Sequence, residues 1–205
     1  MRVKSEVKRQ SILNSASEVF RVTGFEGASM SDICAKAGYS RATLYSYFPS
    51  KEALFLEVML AGSQAQADAI TAALDPETPN MKESLINFGK DLLAFIYSPE
   101  ILALRRLAIT EATRSDFGKM FYARSRKQGE TVVADFLKRA MDAGRLRQAD
   151  PSIAMFHLSG LLESELEEMF YHAEIPALDP LHLERIATDA VSVFMAAYGP
   201  DIKGY

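Results

Sequence analysis

The chain has 205 residues, 48% of them apolar, with a single cysteine and a formal net charge of −4. That apolar share supports a sizeable core without metal or disulfide staples, and the lone Cys34 excludes an intramolecular disulfide framework and suits a reducing compartment. The polar start MRVKSEVKRQ has no apolar centre of the signal-peptide kind, and no apolar run reaches the roughly 18 residues of a membrane span, so a cytoplasmic protein without membrane contact is expected.

Charge is distributed unevenly. Residues 1–52 hold eight Lys/Arg against five Asp/Glu, a balance of +3, which leaves 15 basic against 22 acidic side chains in the rest, a balance of −7. A basic head on an acidic body suits a polyanion-binding module on a carrier, although ordinary scatter of surface charge could give similar numbers.

Helices are expected throughout, and no alternating strand pattern interrupts them. A first amphipathic helix over 4–23 is closed by Gly24. A short helix over 30–37 follows, with Ser29 and Asp32 as its capping pair and Ile33 on its buried side. Ala37-Gly38-Tyr39 then reads as a turn, and Ser40 caps a second short helix over 41–47. Pro49-Ser50 divides a head of residues 1–50 from a body of residues 51–205, whose first helix, 51–74, is capped by Ser50. Further helices are expected over 81–97, led by Asn80 with Glu83, over 99–113 and over 116–143, closed by Gly144; two more cover 151–172 and 180–198. Ser98-Pro99, Asp150-Pro151 and Asp179-Pro180 each place a capping side chain before a proline at the first helical position. The fold class is all-α.

Two short helices joined by a glycine-containing turn describe a helix-turn-helix, whose second helix enters the DNA major groove. At about 100° per residue from Arg41, Leu44 and Phe48 form one apolar ridge, and Ala42, Thr43 and Ser46 fall opposite it. That outward face is small and uncharged, so a groove floor can approach closely. Tyr45 and Tyr47 flank it where phenols reach phosphates, and Arg41 carries the planar fork that matches guanine O6 and N7. Lys51, in the first turn of the next helix, suits a phosphate. With the capping and turn positions, the DNA-facing set is Ser29, Tyr39, Ser40, Arg41, Ala42, Thr43, Tyr45, Ser46, Tyr47 and Lys51.

This stretch resembles the signature of the tetracycline-repressor (TetR) family. The matching positions are Ile33, Ala37, Gly38, Ser40, Thr43, Leu44, Tyr45, Phe48, Ser50, Lys51 and Glu52. It departs from the pattern at Cys34, Tyr39, Ala42 and Tyr47, the last two on or beside the groove face. Upstream, Ile12-Leu13, Ala16, Val19-Phe20 and Gly24-Phe25 are similar to the family's first helix. The resemblance implies a homodimeric repressor of a palindromic double-stranded DNA operator, released by a small-molecule inducer held in the helical body. Leu104 to Ala108, Phe121-Tyr122, Gly144-Arg145-Leu146 and Asp150-Pro151 resemble, more weakly, the bodies of efflux-linked members.

Aromatic residues crowd the middle helices, with charges on otherwise apolar faces. The ligand-site candidates are Phe88, Phe95, Arg105, Glu111, Phe121, Tyr122, Phe156 and Glu163, facing a hydrophobic inducer. Counting helical phase from Ile153 as zero, Glu163 falls between Phe156 and Phe170, where a carboxylate is costly unless paired. An internal partner for it is the preferred reading over a ligand contact. Helix 180–198 carries an apolar arc of about 160°, wider than one side needs. The dimer-interface candidates are therefore Gly160 and Ser164 with Val191, Phe194 and Tyr198.

His157, His172 and His182 show no metal-ligand spacing with each other or with Cys34, so no metal or cofactor is expected. An enzyme is disfavoured, because the sequence has no Gly-rich phosphate loop, Gly-x-Ser-x-Gly elbow or His-Glu-x-x-His helix. A helical adaptor whose head binds protein is the alternative.

Overall fold

The computed structural model describes residues 5–172 and 178–200, and every regular element among them is helical. The head comprises α1 (Glu6–Gly27), α2 (Met30–Ala37) and α3 (Arg41–Tyr47). α4 (Lys51–Ala72) leads into α5 (Met81–Ile96), α6 (Pro99–Glu111) and α7 (Phe117–Phe121). A π-helical turn (Tyr122–Arg126) joins α7 to α8 (Lys127–Asp142); then come α9 (Pro151–Glu163), a 3₁₀ turn (Glu167–Phe170) and α10 (Pro180–Tyr198).

Local chemistry sets most of these ends. Gly24 takes φ 70°, breaking α1 into a long helix and a last half-turn. Ser29 Oγ accepts the Asp32 N–H at 3.1 Å while the Asp32 carboxylate accepts the Ser29 N–H at 3.2 Å, the reciprocal cap of α2. Ser50 Oγ accepts the Ala53 N–H, Asp150 Oδ1 accepts two amides of α9, and Asp179 Oδ1 accepts the Leu181 N–H. Two expected caps are not made. Ser98 has no side-chain cap bond, and Asn80 directs its amide to Glu83 at 3.4 Å instead.

The expected helices over 116–143 and 151–172 are each interrupted. In the first the interruption is the π-helical turn. In the second, α9 stops at Glu163, and the next amides bond three residues back (Leu166 N–H to Glu163 O, Met169 N–H to Leu166 O, both 3.0 Å). Leu162, Leu166 and Met169 are buried, a spacing that a continuous helix would also satisfy.

Two apolar cores result. The body core joins Leu85 and Leu93 of α5 and the capping Tyr97 after it to Leu137 of α8, Met155 and Leu162 of α9, and Ile186 and Phe194 of α10. Gly89 allows the close approach, since a Cβ there would lie 2.7 Å from Leu162 Cδ2 and 3.3 Å from the Ala187 Cβ. The head core holds Ile12, Leu13, Ala16 and Phe20 of α1, Ile33 of α2 and Leu44 of α3. It also takes in Leu54, Phe55 and Leu56 of α4, with Leu104, Ala108 and Phe117 from α6 and α7. α4 therefore completes the head, and the body's α6 and α7 pack against it.

Candidate nucleic-acid interface and body network

The turn between α2 and α3 closes at Gly38, which takes φ 70° and donates its N–H to Cys34 O at 3.0 Å. Ser40 Oγ accepts the Thr43 N–H at 3.2 Å and so starts α3 at a fixed residue. Leu44 and Phe48 are buried, whereas Arg41, Ala42, Tyr45 and Ser46 are exposed. Ser46 turns its hydroxyl onto Thr43 O at 2.7 Å, which leaves the outward surface low. The Arg41 guanidinium is steadied by Ser31 Oγ, on the helix that crosses behind it. Ser29, Tyr39 and Ser40 border this face through the cap and the turn.

Two members of the expected set are placed differently. Tyr47 is half-buried and its hydroxyl accepts the Ser5 N–H at 2.9 Å, tying the start of α1 to α3. Lys51 donates its ammonium to Phe25 O at 2.8 Å and Ala28 O at 3.2 Å, 4.2 Å from the Phe25 ring centroid. It fastens the loop between α1 and α2.

In the body, Arg105 and Glu163 meet, as the internal-pairing reading expected. The Arg105 guanidinium lies 5.0 Å from the Tyr97 ring centroid and 4.8 Å from that of Phe170, against both of two rings that meet edge-on at 6.1 Å. The Tyr97 hydroxyl donates to Glu163 Oε2 at 3.2 Å. Burial, and then the neighbouring Glu163 charge, push its phenol up to about 12. Arg126 lies 3.8 Å from Glu163 Oε1 and donates to Glu130 Oε1 at 3.0 Å; the Tyr122 hydroxyl donates to Glu130 Oε2 at 2.9 Å. That hydrogen bond raises the Tyr122 phenol from its usual value.

The other ligand-site candidates do not converge on this network. Phe88 is core, Phe95 is half-buried against it, and Phe121 packs on the head-side core. Glu111 lies 3.8 Å from Arg114 at the far end of α6. Phe156 is 48% exposed, because the inward face of α9 is set by Ala154, Met155, Leu158 and Leu162. Ile153, from which the helical phase was counted, points outward at 49% exposure.

The dimer candidates divide into an enclosed and an exposed group. Val191, Phe194 and Tyr198 are enclosed within the chain, on the inner half of the broad α10 stripe. Gly160 and Ser164 are exposed. The outward apolar surface of α9 and α10 is a groove of about 400 Å³ floored by Phe194 and Tyr198 and walled by Phe156, Gly160, Leu161 and Val193.

The pairs missing from the sequence reading are Glu57 with Arg9 and Arg124, and Glu130 with Tyr122 and Arg126. Glu130 had a legible signal, since it stands seven residues before the buried Leu137 on the apolar stripe of α8. Glu57 and Arg124 are 67 positions apart, and no local pattern joins them.

A capped pair of short helices on a glycine turn, carried by a long helix into a helical body, defines a helix-turn-helix protein with an appended body. Residues 12–58 match the model of the tetR family of bacterial regulatory proteins, and residues 83–200 match that of the AefR-like transcriptional repressor C-terminal domain. The chain belongs to the TetR family of bacterial transcriptional regulators. It is 30% identical to a TetR-family regulator from Mesorhizobium loti, with TM-score 0.80 over 97% of this chain and 100% of that one. The flavonoid-responsive regulator FrrA is 26% identical, with TM-score 0.71 over 96% and 100%. The HTH-type transcriptional regulator UidR of Escherichia coli is 40% identical over 76 residues, an alignment spanning 37% of each chain. No helix among the described residues is long and apolar enough to cross a membrane.

Proposed function

We propose that this chain is a repressor that binds a palindromic operator as a homodimer and is released by a small hydrophobic effector. The head of residues 1–50 reads DNA through α3, with Arg41 on a base edge and Tyr45 and Ser46 along the groove. The body of residues 51–205 holds the dimer contact and the effector. The observation that carries this reading is the exposed face of α3: low, uncharged apart from Arg41, and fixed in register by the Ser40 cap.

The outward groove on α9 and α10 supports a two-fold contact, because Phe156 and Val193 remain exposed around it at 48% and 55%. The effector binds beside Tyr97, Arg105 and Glu163, where aromatic walls surround a few polar groups. FrrA's flavonoid response favours an aromatic effector here as well.

The test is selection of bound fragments from random-sequence DNA, followed by mobility shift at several salt concentrations. A recovered inverted repeat with steeply salt-dependent affinity is expected, since phosphate contacts release counterions. Recovery of no sequence, with head-dependent capture of a protein instead, would turn the reading to an adaptor.

A further inference from the structure

We propose that the π-helical turn Tyr122–Arg126 is the element that couples the body network to the reading head, with Arg124 and Arg126 as its two contacts. This rests on the reading of that network as the effector site. Residues two apart on a helix project to nearly opposite sides, so this one turn can hold both neighbours. On one side Arg124 pairs with Glu57 of α4, the carboxylate that Arg9 of α1 also holds. The Arg9 guanidinium lies 5.7 Å from the Phe48 ring centroid, directly after α3, so this corner sits against the reading helix. On the other side Arg126 reaches Glu130 at 3.0 Å and Glu163 at 3.8 Å.

Charge neutralisation does not require either arginine. Glu57 keeps Arg9, Glu163 keeps Arg105 and Tyr97, and Glu130 keeps Tyr122 when the turn's arginines are removed. Both are second partners, on opposite sides, of carboxylates already held. Such an arrangement adds little to stability but ties the position of the turn to both neighbours at once.

On this proposal the turn has a second register available to it. A π-helical turn stores one extra residue in the helix, and its return to the ordinary register rotates the preceding segment by about 100°. That segment is α7, whose Phe117 is buried in the head-side core with Leu104 and Ala108. A change at Glu163 or Glu130 that releases Arg126 therefore shifts α7 and the Arg124 contact on Glu57 together. This is a two-state element biased from one side and sensed on the other.

The experiment is amide hydrogen exchange on the full chain, without effector or DNA, for Arg126→Met, Arg124→Met and the double variant. Arg126→Met is expected to speed exchange over residues 6–13 and 51–58 by roughly 2- to 30-fold in the parent background and by less than about 2-fold beside Arg124→Met. An unchanged rate in those segments, or an equal acceleration in both backgrounds, would overturn the proposal. Should Arg126→Met fail to fold, Glu163→Gln supplies the body-side change with the same two outcomes. No effector enters the measurement. A fruitless effector search therefore leaves a positive exchange result standing, and a negative exchange result leaves the effector reading standing.

Discussion

Arg41 stands exposed in the first turn of α3, and Ser31 alone steadies its guanidinium among the contacts described for it. Arg41→Ala should weaken the selected operator by about 1–3 kcal/mol and relax preference at one base position, measured by titration against single-base variants. Equal loss across all sequences would move Arg41 to a phosphate. Tyr97 gives a pH prediction at the same scale. Its phenol is pushed to about 12 in the fold, above the value of about 10 expected in the unfolded chain. The resulting stability is complete below about pH 10 and is lost as pH climbs through 12. Urea unfolding across that range should show a steep alkaline loss that Tyr97→Phe makes shallower. The caps and the buried ridge of the head were legible, because they act over three or four positions. The partners of Tyr47 and Lys51 were not, since Ser5, Phe25 and Ala28 lie 23 to 42 positions away.

Helix ends marked by glycine or by an aspartate before proline were readable, as at Gly24, Gly144, Asp150 and Asp179. The interruptions in 116–143 and 151–172 carry neither mark. Long-range contacts lie at both, Arg106 donating to Met169 O in the second and Arg124 pairing with Glu57 of α4 in the first. α9 is apolar on two sides, and periodicity does not say which side meets α8 and α10. Close approach of α7 to α6 gives the prediction at this scale. A Cβ at Gly118 would lie 2.9 Å from Ala108 O and 3.1 Å from the Ala112 Cβ, and backbone cannot step aside. Gly118→Ala should cost about 1–3 kcal/mol by urea denaturation, despite alanine's better helix propensity. A gain in stability would mean that α7 sits less tightly than described.

For the whole molecule, the proposed two-fold contact would use the exposed Phe156 and Val193 beside the outward groove of α9 and α10, since Val191 and Phe194 are enclosed. Phe156→Glu should give a folded monomer by sedimentation with weak, nonspecific DNA binding, since one head reads only half a palindrome whose centres lie about 34–36 Å apart or a multiple of that. An intact dimer in that variant would place the interface elsewhere. A final consequence follows from α4, whose Leu54, Phe55 and Leu56 complete the head core while α6 and α7 cover it. A fragment ending at residue 50 would lack one wall of its own interior. Hybrids that graft this reading head onto a foreign body should therefore fold only when the junction lies past Leu56 and the donor also supplies counterparts of Leu104, Ala108 and Phe117. Exchange of specificities between relatives is then confined to crossovers inside the connecting helix.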